Sequence, residues 1–166
     1  AFPKQWGEAF VAMHKYAVSE DSFRALAAEI QSRPNYELMK RSGLALTAEA
    51  LESTGLEEQF VSTLAERIPG VGRLVRASDR AYTGMANKLR ADVFDHLIAT
   101  STQAGRDPAN DVKLTQDIAR FVNTATGRGD LGALASAGNA LSTTLFSPRL
   151  VASRLNMLNY FYYAKL

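Results

Sequence analysis

The sequence predicts an all-α protein, an irregular bundle of seven or eight helices around one long central helix. Three observations carry this expectation. Apolar residues recur at three- and four-residue steps through most of the chain, the period of one helix face. Gly and Pro gather between these stripes, where helices end. No stretch shows the sustained apolar–polar alternation of a half-buried strand.

Each helix has its own signature. Trp6, Phe10, Met13 and Ala17 form the first stripe. Ser19 or Asp21 can then accept hydrogen bonds from the free amides of the next helix. Phe23, Leu26, Ala27 and Ile30 stripe that second helix, which Arg33-Pro34 stops. A short third helix, with Pro34 in its first turn, runs through Tyr36, Leu38 and Met39 to Gly43, placed where a left-handed residue closes a helix. Residues 44–55 connect, with a short turn from Thr47 to Glu52. Thr54 and Glu57 then stand at capping-box spacing before Phe60, Val61, Leu64 and Ile68.

Pro69-Gly70 with Gly72 is the strongest punctuation in the chain. The longest helix should follow, from about Arg73 to Ser101, with Val75, Tyr82, Met85, Leu89, Val93 and Leu97 along one face. Gly84 inside it costs about 1 kcal/mol relative to Ala, which a close helix crossing would explain. Gly105 and Pro108 end it. Leu114, Ile118, Phe121, Val122 and Ala125 stripe the next helix, closed by Gly127-Arg128-Gly129. Residues 131–148 carry no formal charge, but Asn139 and five Ser/Thr hydroxyls make them too polar for a membrane span and suit a tightly packed helix. Ser147-Pro148 opens the last helix as N-cap and first residue.

Composition narrows the chemistry. With 166 residues and 46% hydrophobic content, the chain suits one globular unit. It contains no Cys and two His, which removes disulfides, thiolate metal sites and a Cys nucleophile, and argues against His-based catalysis. The net charge of +2 hides an asymmetry. Residues 1–66 hold six Lys and Arg against ten Asp and Glu, a net −4; residues 67–166 hold thirteen against seven, a net +6. The division is an acidic helical subdomain over 1–68 and a basic one over 69–166 packed on it. The two parts can attract each other, or the second can face an anionic partner. No basic region precedes an apolar run at the start, so no signal peptide is expected. The aromatic run Tyr160-Phe161-Tyr162-Tyr163 suggests a chain cut from a longer polypeptide.

Candidate sites are few. Gly127-Arg128-Gly129-Asp130-Leu131-Gly132 spells G-x-G-x-x-G, but a dinucleotide fingerprint needs a preceding strand, and here a helix precedes. The Arg-Gly-Asp inside it has no secretory context. What remains is a glycine C-cap, or a weak anion site made of exposed amides and one Arg. Arg73, Arg76, Arg80, Lys88 and Arg90 lie on the long helix, where three Arg can share a face suited to phosphates; a solvated face or pairing with the acidic part is the alternative. Arg128, Arg149 and Arg154, with Tyr160, Tyr162 and Tyr163 beyond, complete a candidate nucleic-acid set of Arg73, Arg76, Arg80, Lys88, Arg128, Arg149 and Arg154. Asp92, Asp95 and His96 sit a helical turn apart, a weak metal cluster better read as helix surface. His14 stands alone, and Glu57-Glu58 point in different directions, a poor acid–base dyad. No catalytic residue, cofactor or metal site is expected.

Several segments resemble a family. They are Pro34-Asn35-Tyr36-Glu37-Leu38-Met39 followed by Gly43-Leu44; Ile68-Pro69-Gly70-Val71-Gly72-Arg73-Leu74-Val75-Arg76-Ala77-Ser78-Asp79-Arg80-Ala81-Tyr82, continuing through Asn87-Lys88-Leu89-Arg90-Ala91-Asp92-Val93-Phe94; Asn123-Thr124-Ala125-Thr126-Gly127-Arg128-Gly129; and Leu145-Phe146-Ser147-Pro148-Arg149-Leu150-Val151-Ala152-Ser153-Arg154. Together they resemble a helical domain of the large polyvalent proteins of tailed bacteriophages. The resemblance implies a non-enzymatic structural or interaction module in a long chain that travels in the virion and enters the host with the DNA. It implies partners among other domains of the same polyprotein or virion proteins, and a location in the virion or the host bacterial cytoplasm. The alternative is a DNA- or RNA-binding module using the basic second part. A third class is a fragment of a multidomain enzyme whose active site lies elsewhere.

Overall fold

The structure is a computed structural model, and it describes residues 2–46, 72–128, 152–153 and 155–156. Five helices lie among these residues, and no strand: α1 (Phe2–Val18), α2 (Glu20–Gln31), α3 (Tyr36–Arg41), α4 (Gly72–Gln103) and α5 (Val112–Ala125). The all-α expectation holds; the count of seven or eight does not extend to this part. The expected helices over 54–68 and 131–146, and the boundary at Pro69-Gly70, lie outside the described residues; of the helix expected from Pro148, residues 152–153 and 155–156 are described and are helical. The short helical piece Ala152–Ser153 is described, and the buried Ser153 hydroxyl donates to Thr124 O at 2.8 Å.

Local chemistry sets where these helices stop and start. Ser19 is the N-cap of α2, in extended conformation, accepting from Ser22 N at 3.1 Å. Asp111 caps α5 through Leu114 N at 2.9 Å. Pro34 lies in the turn ahead of α3, whose N-cap is Asn35. At their C-termini α3, α4 and α5 use one device. Gly43 (φ 79°), Gly105 (φ 79°) and Gly127 (φ 88°) are the positive-φ residues of the described chain. After each, the next amide reaches back to the helix, Leu44 to Met39 O, Arg106 to Ser101 O and Arg128 to Asn123 O. The glycine amides bond Lys40 O, Thr102 O and Thr124 O, the paired bonds of a Schellman motif.

α4 is the axis of the core, with α1, α2 and α5 packed against it. Because neighbours surround it, it buries more than one face: Leu89, Val93, Phe94 and Ile98 are buried, and so are Ala81, Ala86 and Ala91. The single stripe expected from Val75 to Leu97 therefore understates it, and Tyr82 is 53% exposed. The stripes of α2 and α5 fare better. Leu26 and Ile30, then Leu114, Ile118 and Val122, are core residues. The expected close crossing at Gly84 is present: a Cβ there would sit 2.6 Å from Tyr16 Cδ2 on α1.

The α1 stripe is corrected. Among its described side chains Ala9 and Tyr16 are buried, with Ala12 packed beside them, while Trp6 and Phe10 are exposed; Ala17 lies outside the described side chains. Small residues let α1 lie close on α4, and the bulky pair is left outside that contact.

Candidate interaction face

Viewed along α1, residues advance by about 100° each. Ala9, Ala12 and Tyr16 cluster on the α4 side; Gly7 and His14 fall nearly opposite, and Phe10 lies about 125° round from the cluster. Trp6 is 48% exposed, Phe10 64% and Val11 78%. Pro3, Gly7 and His14 on the same outer surface are exposed as well. The helix thus carries exposed apolar side chains outside its core face, beside a charged stripe of Lys4, Glu8 and Lys15. Its flank carries Lys4 and Glu8, 3.8 Å apart in an exposed i,i+4 pair.

Among the described residues, two buried or half-buried arginines tie separate elements together. Arg33, in the turn after α2, reaches Asp92 at 2.7 Å and Asp95 at 3.0 Å on α4, and also holds Glu29 at 2.7 Å. Asn35 Nδ2 donates to Asp95 Oδ1 at 2.8 Å instead of capping α3, and Lys88 pairs with Asp92 at 2.8 Å. Burial pulls the Arg33 guanidinium down, but its bonds to Asp92 and Glu29 more than offset this and raise its pKa. Burial pushes the nearby Tyr16 hydroxyl above its ordinary range, opposed by Lys88. Asp92 and Asp95 are thus engaged by cations, and no group of three or more metal-ligating side chains occurs among the described residues.

The second tie is Arg90. It is 2% exposed, and its Nε donates to Thr126 Oγ1 at 2.9 Å and its Nη1 to Ala45 O at 3.2 Å. It lies against the C-terminal end of α5, where the helix dipole favours a cation. Asn123 works beside it, donating to Gly43 O at 2.9 Å and accepting from Ala45 N at 2.9 Å. One amide side chain thus holds both a carbonyl and an amide of the segment after α3.

The candidate phosphate-binding residues are distributed as follows. Arg73 and Arg76 lie in the first turns of α4, and their side chains are outside the description. Arg80 is half-buried on α4, and Lys88 is held by Asp92. Arg128 is half-buried, and its amide bonds Asn123 O. Arg149 and Arg154 lie outside the described residues. Arg90, expected on the same basic face, is buried and tied to the α5 end. Of the two readings of Gly127-Arg128, the glycine C-cap is the one found: both amides close α5. One tie between the two parts runs counter to their net charges: at Arg33 a cation of the acidic part meets carboxylates of the basic part.

Arg33, Arg90 and Asn123 went unnoticed as structural residues in the sequence. Arg33 precedes Pro34 and reads as a helix stop; Arg90 sits at a spacing that reads as surface. No helix among the described residues is long and apolar enough to cross a membrane. Neither a family profile nor a curated protein nor a solved structure matches this chain.

Proposed function

We propose that this chain is a non-enzymatic interaction module, a helical unit of a large phage protein carried in the virion or ejected with DNA, which acts through protein–protein packing. The outer face of α1 carries the reading. Trp6, Phe10 and Val11 are large apolar side chains left in water on a helix whose other face is already buried. Aromatic residues so placed are typical anchors of protein interfaces. The phage context rests on the segment resemblance.

A photoreactive phenylalanine analogue in place of Phe10 tests it. Cross-linking to a defined protein domain, absent when the analogue replaces the exposed Gln116 on α5, supports the module. Binding to DNA or RNA at low salt that falls steeply as salt rises, together with no cross-link from position 10, would overturn it in favour of a nucleic-acid module.

A further inference from the structure

The outer face of α1 has an internal order that points to its occupant. Pro3, Gly7, Phe10 and His14 follow one another at steps of four, three and four residues, and all are exposed. That is the spacing of a coiled-coil seam, with Trp6 and Val11 at the flanking positions. Gly7 is a mid-helix glycine; a Cβ there would meet nothing within 4 Å among the described residues. In a lone exposed helix it has no local justification, since Ala would be favoured by about 1 kcal/mol.

We infer that α1 pairs antiparallel with α1 of a second copy of this chain, Phe10 of each lying over Gly7 of the other. The inference rests on reading this face as an interface. A two-fold axis midway between residues 8 and 9 generates the register. It sets Phe10 opposite Gly7 and Pro3 opposite His14, and every contact occurs twice, as an isologous interface requires. Phe10 is the bulky knob and Gly7 the hollow that receives it, so the face is complementary to itself. Trp6 lies on the Phe10 side of the seam and Val11 on the Gly7 side.

Charge agrees with this arrangement. Lys4 is the one charged residue bordering the seam and is already paired with Glu8. In the antiparallel register the two Lys4 are about 13 Å apart along the axes, from a rise of 1.5 Å per residue. Glu8 and Lys15 lie one step further from the seam. A parallel pairing would instead set Phe10 against Phe10 and leave Gly7 facing Gly7, losing the knob-and-hollow match. The face of one helix offers a few hundred Å² per copy, less than the roughly 800 Å² per partner of a standard stable interface. The pairing is therefore weak and concentration-dependent.

The chain contains no Cys, so introduced thiols report on this seam alone. The Gly7→Cys and Phe10→Cys proteins are mixed and oxidised, with Gln116→Cys as the exposed control. Antiparallel pairing gives mainly the mixed disulfide, several-fold above either homodimer. A predominance of homodimers overturns the register, and cross-linking no higher than that of Gln116→Cys overturns the pairing. Sedimentation equilibrium of the unmodified chain should show reversible dimerisation, weakened roughly tenfold or more by Phe10→Ala and abolished by Phe10→Asp. Helicity and the unfolding midpoint of these exposed-site variants should match the parent. A chain that stays monomeric at every concentration, yet cross-links from position 10 to a different protein, refutes self-pairing and leaves the interaction reading standing.

Discussion

Among the described residues two glycines stand in helix interiors, and they should respond oppositely to the same substitution. Replacing a mid-helix Gly by Ala ordinarily stabilises a helix by about 1 kcal/mol. At Gly7 the new methyl would meet nothing within 4 Å, so Gly7→Ala should deliver that gain in the monomer. At Gly84 the methyl would lie 2.6 Å from Tyr16 Cδ2, 2.9 Å from Cγ and 3.1 Å from Cβ. These atoms are the root of a buried ring, so relief requires α1 to move off α4. Overpacking of this kind costs about 1–3 kcal/mol, and two contacts below 3 Å place it at the upper end. After the propensity gain, Gly84→Ala should lose about 2 kcal/mol, some 4–8 °C in Tm for a chain of this size. Urea unfolding of both variants at low protein concentration measures the contrast. Adding Tyr16→Ala to Gly84→Ala should return the glycine substitution to neutral or favourable, a coupling of about 2–3 kcal/mol. If Gly84→Ala stabilises the chain as Gly7→Ala does, the crossing of α1 on α4 at Tyr16 is wrong.

Other perturbations address the polar ties. Arg33→Ala should destabilise by about 2 kcal/mol in urea unfolding, less than the 3–5 of a fully buried pair because Asp95 and Glu29 retain water. Asn123→Ala strips a partner from both Gly43 O and Ala45 N and should cost about 1–3 kcal/mol, with faster hydrogen exchange at the Ala45 amide. Tyr16 has a raised pKa in the fold, so the unfolded chain ionises first. Stability should hold below the ordinary tyrosine value of 10.0 and fall as pH rises above it. Tyr16→Phe should remove that part of the alkaline loss, measured by urea unfolding across the range.

What could be read in the sequence was mostly local. The glycine ends at 43, 105 and 127, the Ser19 cap and the stripes of α2 and α5 depend on neighbours a few residues away, and all are found. The orientation of α1 was not legible, because hydrophobicity ranks Trp6 and Phe10 as core, whereas closeness of approach selects Ala9, Ala12 and Tyr16 against Gly84. The signal for the second choice was present in Gly84 itself, but only the packing partner tells which face of α1 answers it. Arg90 is a similar case. A helical Arg three or four residues from other basic residues reads as surface until the connection at Ala45 and the end of α5 close over it. The outer α1 face became visible once the core face was known.

The Arg33 contact has a bearing on how salt should act on this molecule. A net −4 on one part and +6 on the other can act at long range only as a diffuse attraction, and ions at 0.15 M screen such a term beyond about 8 Å. The pairs at 2.7 and 3.0 Å are half-buried and lie well inside that length, so they persist when the diffuse term has faded. Each is also formed by the minority charge of its own part. Docking of the α2–α3 corner on α4 is therefore addressed to a position, and is indifferent to the overall balance of charge. Surface charges elsewhere can change in number or sign without altering how this corner finds its seat.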